Sequence, residues 1–205
     1  MGASNSLWHA IDEARREEEE LRECTFTGEE VSGLFATGLE LAEVILSGCK
    51  FHHCDFTGSN FYRCTLKDCL FDDCRFSDSY WKETALTGSK AEGCDFRGCR
   101  FKHCILVGNL LRYANFNQSV WERSTVTECD LREAFLSEMR LKQATFQKAD
   151  FTRAELFRTA LDGLDLTDCI LEGVTASETC AEFRGATLSA AQAAEVARLL
   201  GVKIQ

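Results

Sequence analysis

In the stretch "CKFHHCDFTGSNFYRCTLKDCLFDDCRF", residues 49–76, nearly every group of five residues has a small residue two positions before a large apolar residue. If the large residue is taken as the centre of each unit, centres fall at every fifth position from Phe26 to Ala176. These 31 centres comprise 13 Leu, 11 Phe, 2 Val, 2 Trp and 3 Ala, and none is polar. The position two before the centre is usually small and holds eleven of the twelve cysteines. An apolar period of five therefore runs through most of the chain.

A period of five fits neither a helix nor a continuous strand. Because the side chains of a strand alternate between its two faces, an unbroken strand would expose every second centre. All centres can point inward only if the backbone turns once per unit, and the Gly, Asp, Asn, Ser and Thr residues between centres suit turns. One unit cannot bury its apolar side alone, so successive turns must stack into a solenoid.

The units ANFNQ, ADFTR, CDFTG and CDLRE resemble the consensus A(D/N)LXX of the pentapeptide-repeat proteins, with Cys accepted for Ala and Phe for Leu. The resemblance covers residues 24–188 and implies a right-handed quadrilateral β-helix with four units, or about 20 residues, in each coil. The predicted fold class is therefore an all-β solenoid of about eight coils with short N-terminal and C-terminal helices. At a strand spacing of about 4.8 Å, the rod would be roughly 35–40 Å long.

Residues 1–23 are predicted to cap the first coil. Ser6 is a suitable N-cap for a helix over residues 6–23, and Leu7, Trp8 and Ile11 form part of its apolar stripe. The opening MGASNS also matches a short N-myristoylation pattern, which occurs often by chance.

Residues 189–205 are predicted to close the other end and to pair two copies. The centres slip by two positions after Ala176, which indicates a bulge near residues 178–180. Ser189 would then begin a helix that stops at Gly201, and a short strand would follow. This tail resembles the C-terminal segment of the Qnr, MfpA and AlbG branch of the family, in which a helix and a final strand build a twofold dimer.

Composition excludes several classes of function. The formal net charge is −10, which argues against direct binding of nucleic acid or an anionic membrane. No apolar run is long enough to span a membrane, and the absence of a secretory signal predicts a cytoplasmic protein with reduced cysteines. A filled, narrow solenoid offers no cleft for catalysis, so we expect no enzyme activity, no cofactor and no metal site.

The outward positions carry the remaining functional information. By the 20-residue count, one face is rich in carboxylates and another is basic, with Lys82, Arg100, Lys102, Arg140 and Lys142. The partner-binding residues predicted on the acidic face are Asp72, Asp73, Glu92, Asp130, Glu133 and Asp150. The residues predicted at the dimer interface are Phe135, Phe157, Val196, Leu199, Leu200, Val202 and Ile204.

Two functions remain open from the sequence. The resemblance to the Qnr, MfpA and AlbG branch implies a homodimeric rod that imitates duplex DNA. Such a rod would bind DNA gyrase or topoisomerase IV, and either protect it from quinolone-type or albicidin-type agents or inhibit it. The alternative is a non-catalytic interaction scaffold or effector with an unrelated protein partner. A continuous negative stripe favours the first function, and a patchwork of charge favours the second.

Overall fold

The computed structural model describes residues 6–204, which form a parallel β-solenoid with a helix at each end. Partner residues in neighbouring coils are 20 positions apart, as in the pairing of Trp81 with Phe61 and Phe101. The solenoid has four faces, which we number 1 to 4 in chain order. The predicted all-β solenoid is confirmed, and the lipidation pattern at Gly2 lies outside the described residues.

Faces 1 and 2 are seven-stranded parallel sheets. The strands of face 1 are Leu21–Arg22, Glu40–Ala42, Asn60–Tyr62, Tyr80–Lys82, Arg100–Lys102, Val120–Glu122 and Arg140–Lys142. The strands of face 2 are Thr25–Thr27, Ile45–Ser47, Thr65–Lys67, Ala85–Thr87, Ile105–Val107, Thr125–Thr127 and Thr145–Gln147.

Faces 3 and 4 are less regular. Face 3 begins with the strands Glu30–Ser32, Lys50–His52 and Leu70–Asp72 and continues as isolated bridges to Ile170. Face 4 consists of isolated bridges only, from Phe35 to Thr175, within the described residues. The same 20-residue step therefore holds on all four faces, so outward residues form straight columns along the rod.

The centres of the units fill the interior as stacked columns. Phe56, Phe76, Phe96 and Phe116 follow one another with ring centroids 5.2, 4.9 and 4.8 Å apart and ring planes within 6° of parallel. Each of these rings is at most 2% exposed. The inward direction predicted for the period-five residues is confirmed, because only one turn per unit brings these rings above one another.

The corners of the coil explain the turn residues in the sequence. The backbone at the second position after the centre is left-handed in nearly every unit, with φ of +67° at Gly58, +52° at His53 and +50° at Arg63. Glycine reaches this conformation without the clash that a Cβ introduces, which accounts for its frequency there.

The small position of each unit faces inward and satisfies backbone groups. The Ser59 hydroxyl donates to the Ala36 carbonyl of the preceding coil at 2.6 Å, and the Cys99 thiol donates to the Phe76 carbonyl at 2.9 Å. All twelve cysteines are free, eleven are buried and Cys24 is partly buried. Burial is the main cause that raises the pKa of Cys99 to about 12 and that of Cys104 to about 11.

Helix α1, Leu7–Glu17, covers the first coil and is shorter than predicted. Ser6 is its N-cap, as predicted, and Leu7 and Ile11 are buried, whereas Trp8 is 48% exposed. The prediction that the helix extends to residue 23 is wrong. Leu21 instead continues the series of apolar centres and pairs with Leu41 as the first strand of face 1.

The C-terminal end follows the predicted slip in register. Asp165 pairs with Thr187, 22 positions away rather than 20, and the 3-10 helix Ala181–Phe183 accommodates the extra residues. Helix α2, Ala190–Leu199, begins at Ser189 with a capping box and is followed by Gly201 at φ +80°. The short strand predicted after Gly201 is not formed among the described residues.

Candidate partner-binding surface

All six carboxylates predicted to bind a partner lie on face 3. They lie in three columns of outward residues. Asp72 and Glu92 stand one position after the centre, Asp73 and Glu133 two positions after it, and Asp130 and Asp150 one position before it. The structure therefore brings together residues as distant in sequence as Asp72 and Asp150. Asp72, Asp73 and Glu92 are exposed, and the other three are half-buried.

Most of these carboxylates already have a partner on the same face. His52 contacts Asp72 at 3.1 Å and His53 contacts Asp73 at 2.9 Å. The Tyr113 hydroxyl donates to Glu133 at 3.1 Å. In the same way, Lys50 binds Glu30. Face 3 is therefore an alternation of charged groups, not an uninterrupted negative stripe.

Arg132 lies between two of the predicted carboxylates of face 3, Asp130 and Asp150. Its guanidinium binds both oxygens of Asp130, with an N–O distance of 2.5 Å at the closer, and lies 3.7 Å from Asp150. Partial burial would raise the pKa of Asp130, but the hydrogen bonds and positive charge of Arg132 outweigh it and hold this pKa below its ordinary value. A cationic partner must therefore compete with Arg132 for this site.

Glu92 has no ion pair with any residue in the described range 6–204. It lies between the coil of Asp72 and that of Arg112 in the column after the centre. Together with Asp72 and Asp73, it forms the most exposed negative part of face 3.

The residues predicted for a dimer interface divide between two places. Phe135 and Phe157 lie on face 4, as predicted, and are 37% and 42% exposed. Leu199, Leu200, Val202 and Ile204 in the tail are also exposed, and Val196 is half-buried against the core. An apolar surface at the C-terminal end is thus present, and the dimer itself stays a prediction.

Two buried polar side chains that the sequence did not indicate hold this end together. Gln192 Nε2 donates to the carbonyls of Leu166 and Cys169, both at 2.6 Å, and so ties helix α2 to the last coils. Glu182 accepts hydrogen bonds from the backbone N–H groups of Arg158 and Ser177. Neither residue is part of the five-residue pattern, which is why that pattern did not reveal them.

Glu182 is buried but charged. Its burial would raise the carboxyl pKa, but the two backbone N–H donors and the Ser177 hydroxyl outweigh this and lower it. The ionised form of Glu182 therefore stabilises the register shift that ends the solenoid.

Within residues 6–204, no group of three or more His, Cys, Asp or Glu side chains is arranged to hold a metal ion. No helix among these residues is long and apolar enough to cross a membrane.

Family models and solved structures give a consistent comparison. One model of pentapeptide repeats matches residues 41–85, and a second matches residues 69–108, 110–147 and 136–173. A trypsin-treated form of QnrB1, a plasmid-mediated fluoroquinolone resistance protein, is similar in fold, with 24% identity and a TM-score of 0.56. The similarity covers 91% of this chain and 98% of that one. A second trypsin-treated form of QnrB1 has 22% identity and a TM-score of 0.51, over 91% of this chain and 100% of that one. No curated protein matches the chain.

Proposed function

The chain belongs to the pentapeptide-repeat family, and on that basis we propose that it is a non-catalytic, DNA-mimicking protein of the Qnr type. In this proposal it binds DNA gyrase or topoisomerase IV where these enzymes bind duplex DNA. The outcome is either protection of the enzyme from quinolone-type or albicidin-type agents, or inhibition of supercoiling. The similar fold of QnrB1, a fluoroquinolone resistance protein, supports this assignment.

The observation that carries the proposal is the alignment of the six predicted carboxylates on one side of a straight rod. Columns of outward residues repeat at the strand spacing of about 4.8 Å, whereas duplex DNA carries one charge per about 1.7 Å of its axis. Face 3 is thus less charged than DNA, and its own basic residues reduce its field further. We therefore place the main contact at Asp72, Asp73 and Glu92, because no arginine or lysine of residues 6–204 forms an ion pair with these carboxylates.

In this proposal the protein acts as a homodimer, and the two copies meet at their C-terminal ends. Two copies joined there would form a rod roughly twice the length of one, or about 75–80 Å. The exposed side chains of Leu200, Val202 and Ile204 supply apolar surface for this contact, and Phe135 and Phe157 add exposed rings on face 4. The protein would act inside the cell, where topoisomerases are found.

The decisive experiment measures supercoiling and ciprofloxacin-stabilised DNA cleavage by purified gyrase, with increasing amounts of the protein. We expect a reduction of cleavage, of supercoiling, or of both. The variant Asp72→Lys/Glu92→Lys should lose the effect, because it reverses charge at the exposed part of face 3. The matched control Thr65→Lys places a lysine on face 2 and should retain it. Equal activity of all three proteins would refute the role of face 3. No effect of any of them would refute the proposed action on gyrase.

The second candidate is an interaction scaffold with a different protein partner. The specific observation in its favour is the pairing of Asp130 and Asp150 with Arg132, because a patchwork of charge suits a partner with charges of both signs. Affinity capture from a cell extract with face 3 intact, compared with the Asp72→Lys/Glu92→Lys variant, separates the two. Retention of topoisomerase subunits by the intact protein supports the first function, and their absence beside another specific protein supports the second.

A further inference from the structure

Face 1 has an uneven distribution of charge along the rod. Its first two coils carry Glu20, Glu23, Glu40 and Glu43, next to the acidic end of helix α1. Its later coils carry the basic residues Arg100, Lys102, Arg123, Arg140 and Lys142. One flat sheet is therefore acidic at its N-terminal end and basic at its C-terminal end, in a protein whose net charge is −10.

Several of these charges form no ion pair with the part of the chain that the structure describes. Among the described residues, no carboxylate lies within ion-pair distance of Arg100, Arg140 or Lys142, and no cation pairs with Glu23 or Glu40. Other charges pair between neighbouring coils, as Arg63 does with Glu43 on face 1 and Lys148 does with Glu128 on face 2. Face 1 thus retains unpaired acids at one end and unpaired bases at the other.

We infer that face 1 binds a second copy of this chain, with the two rods antiparallel and their face 1 sheets in contact. A twofold axis along the strand direction reverses the rod but keeps each outward column opposite the same column of the partner. The acidic end of one copy then lies over the basic end of the other. Two rods packed in parallel would instead bring coils of the same number together, and the basic residues Arg100 and Arg140 of one copy would face Lys102 and Lys142 of the other.

One register opposes unlike charges wherever two carboxylates or cations meet across the first six strands, and it leaves the seventh strand, Arg140–Lys142, beyond the overlap. With the axis between the Asn60–Tyr62 and Tyr80–Lys82 strands, Glu40 faces Arg100 and Glu23 faces Arg123, which joins unpaired residues of opposite charge. The other charged pairs across this interface are also opposite in sign or involve a histidine: Arg22 with Glu122, Glu43 with His103, and Arg63 with Glu83.

The neighbouring registers are less favourable. A shift of one coil in one direction places Arg22 opposite Lys142 and Glu83 opposite its own copy. A shift in the other direction places Arg22 opposite Lys102 and Arg63 opposite its own copy. Like charges opposed at an interface cost free energy and thereby select against wrong registers. Charge complementarity thus specifies both the antiparallel direction and the register.

The centre of the contact is aromatic. Tyr62 and Tyr80 pack edge to face in each copy, with ring centroids 5.7 Å apart, and both are half-buried. The twofold axis brings two such pairs together at the middle of the interface, where tyrosine commonly contributes binding energy. Because the sheet is only about 35 Å long and one strand wide, the contact lies at the small end of specific interfaces. We expect weak, salt-sensitive association.

Sedimentation velocity over a range of protein concentrations tests the interface. The full chain is measured with its native tail and with Val202→Glu/Ile204→Glu, which removes tail-to-tail association. In the second background, Glu40→Arg and Arg100→Glu should each weaken self-association at least tenfold. The double exchange should restore it, because the two opposite charges face each other again. Raising NaCl from about 50 mM to about 500 mM should also weaken it.

A matched control reverses charge elsewhere on the rod, with Glu92→Arg on face 3 leaving the association unchanged. The inference is overturned if the tail variant is monomeric at all concentrations, since the tail would then be the sole contact. It is also overturned if the double exchange fails to rescue the single variants. Binding of heparin to Arg100 by a protein that stays monomeric would instead identify the basic end as a polyanion site. None of these results bears on gyrase binding, which is assigned to face 3.

Discussion

The stacked rings inside the solenoid allow a quantitative test by Phe96→Ala. Phe96 is 2% exposed and lies between Phe76 and Phe116, whose ring centroids are 4.9 and 4.8 Å away. Replacement of a buried phenylalanine by alanine costs about 3–5 kcal/mol through lost burial and the cavity left behind. The two ring stacks place this site in the upper half of that range, because each aromatic pair adds about 0.5–1.5 kcal/mol. We therefore expect a loss of about 4–5 kcal/mol.

Urea unfolding followed by circular dichroism measures this loss, with Phe35→Ala as the matched control. Phe35 is 64% exposed on face 4, so its removal should cost less than about 0.5 kcal/mol. The dependence of the unfolding free energy on urea must stay constant among the proteins, so that their midpoints can be compared. A Phe96→Ala protein within about 1 kcal/mol of the control would refute the packing of these rings inside the coil.

Four further predictions concern the ends, the corners and the thiols. Glu182→Gln should destabilise the protein by about 1–3 kcal/mol at neutral pH, because buried N–H donors lose an ionised acceptor. Folding lowers the pKa of Glu182, so the ionised carboxylate stabilises the protein above the pKa of the unfolded chain, about 4.3, and this stabilisation is lost as pH falls through the folded pKa. The stabilities of the variant and the parent should therefore converge in acid denaturation curves. Gln192→Leu should cost about 1–3 kcal/mol, because the Cys169 carbonyl loses its donor and the Leu166 carbonyl keeps only the Cys169 N–H. Hydrogen exchange should show the loss at helix α2, and unchanged protection there would contradict the bonds to the last coils. Gly58→Val should cost about 1–2 kcal/mol in thermal unfolding, since a Cβ at φ +67° is strained even where it meets no neighbour, and an unchanged melting temperature would argue against a left-handed corner. The buried thiols should react with a disulfide reagent only as the protein unfolds, with Cys24 reacting before the others; rapid native-state reaction of most of the twelve would contradict their burial.

The interior of the fold could be predicted from the sequence because the apolar period has one physical solution. Each centre must be buried, and a turn per unit is the only arrangement that points all of them inward. The same series of centres extends back to Leu21, where the solenoid starts. The charged run at residues 17–20 predicts a continuing helix, whereas Glu18 adopts a left-handed conformation and ends helix α1 before Leu21.

The face on which each charged residue lies was predictable from the sequence, but the ion pairs between these residues were not. The 20-residue count places Asp130 and Asp150 on one face, but it does not state that Arg132 turns toward both of them. Side-chain direction depends on rotamers and on the competition between nearby partners, which a repeat pattern does not encode. The roles of Gln192 and Glu182 were hidden for a related reason, since both act where the repeat ends.

Competition between this protein and duplex DNA for gyrase tests the proposed function most directly. Fluorescence anisotropy would follow a labelled duplex bound to the enzyme during titration with the protein. The account predicts that the duplex is released as the protein binds, and that Asp72→Lys/Glu92→Lys releases it only at much higher concentration. Failure to bind, or formation of a complex in which the duplex stays on the enzyme, would contradict DNA mimicry.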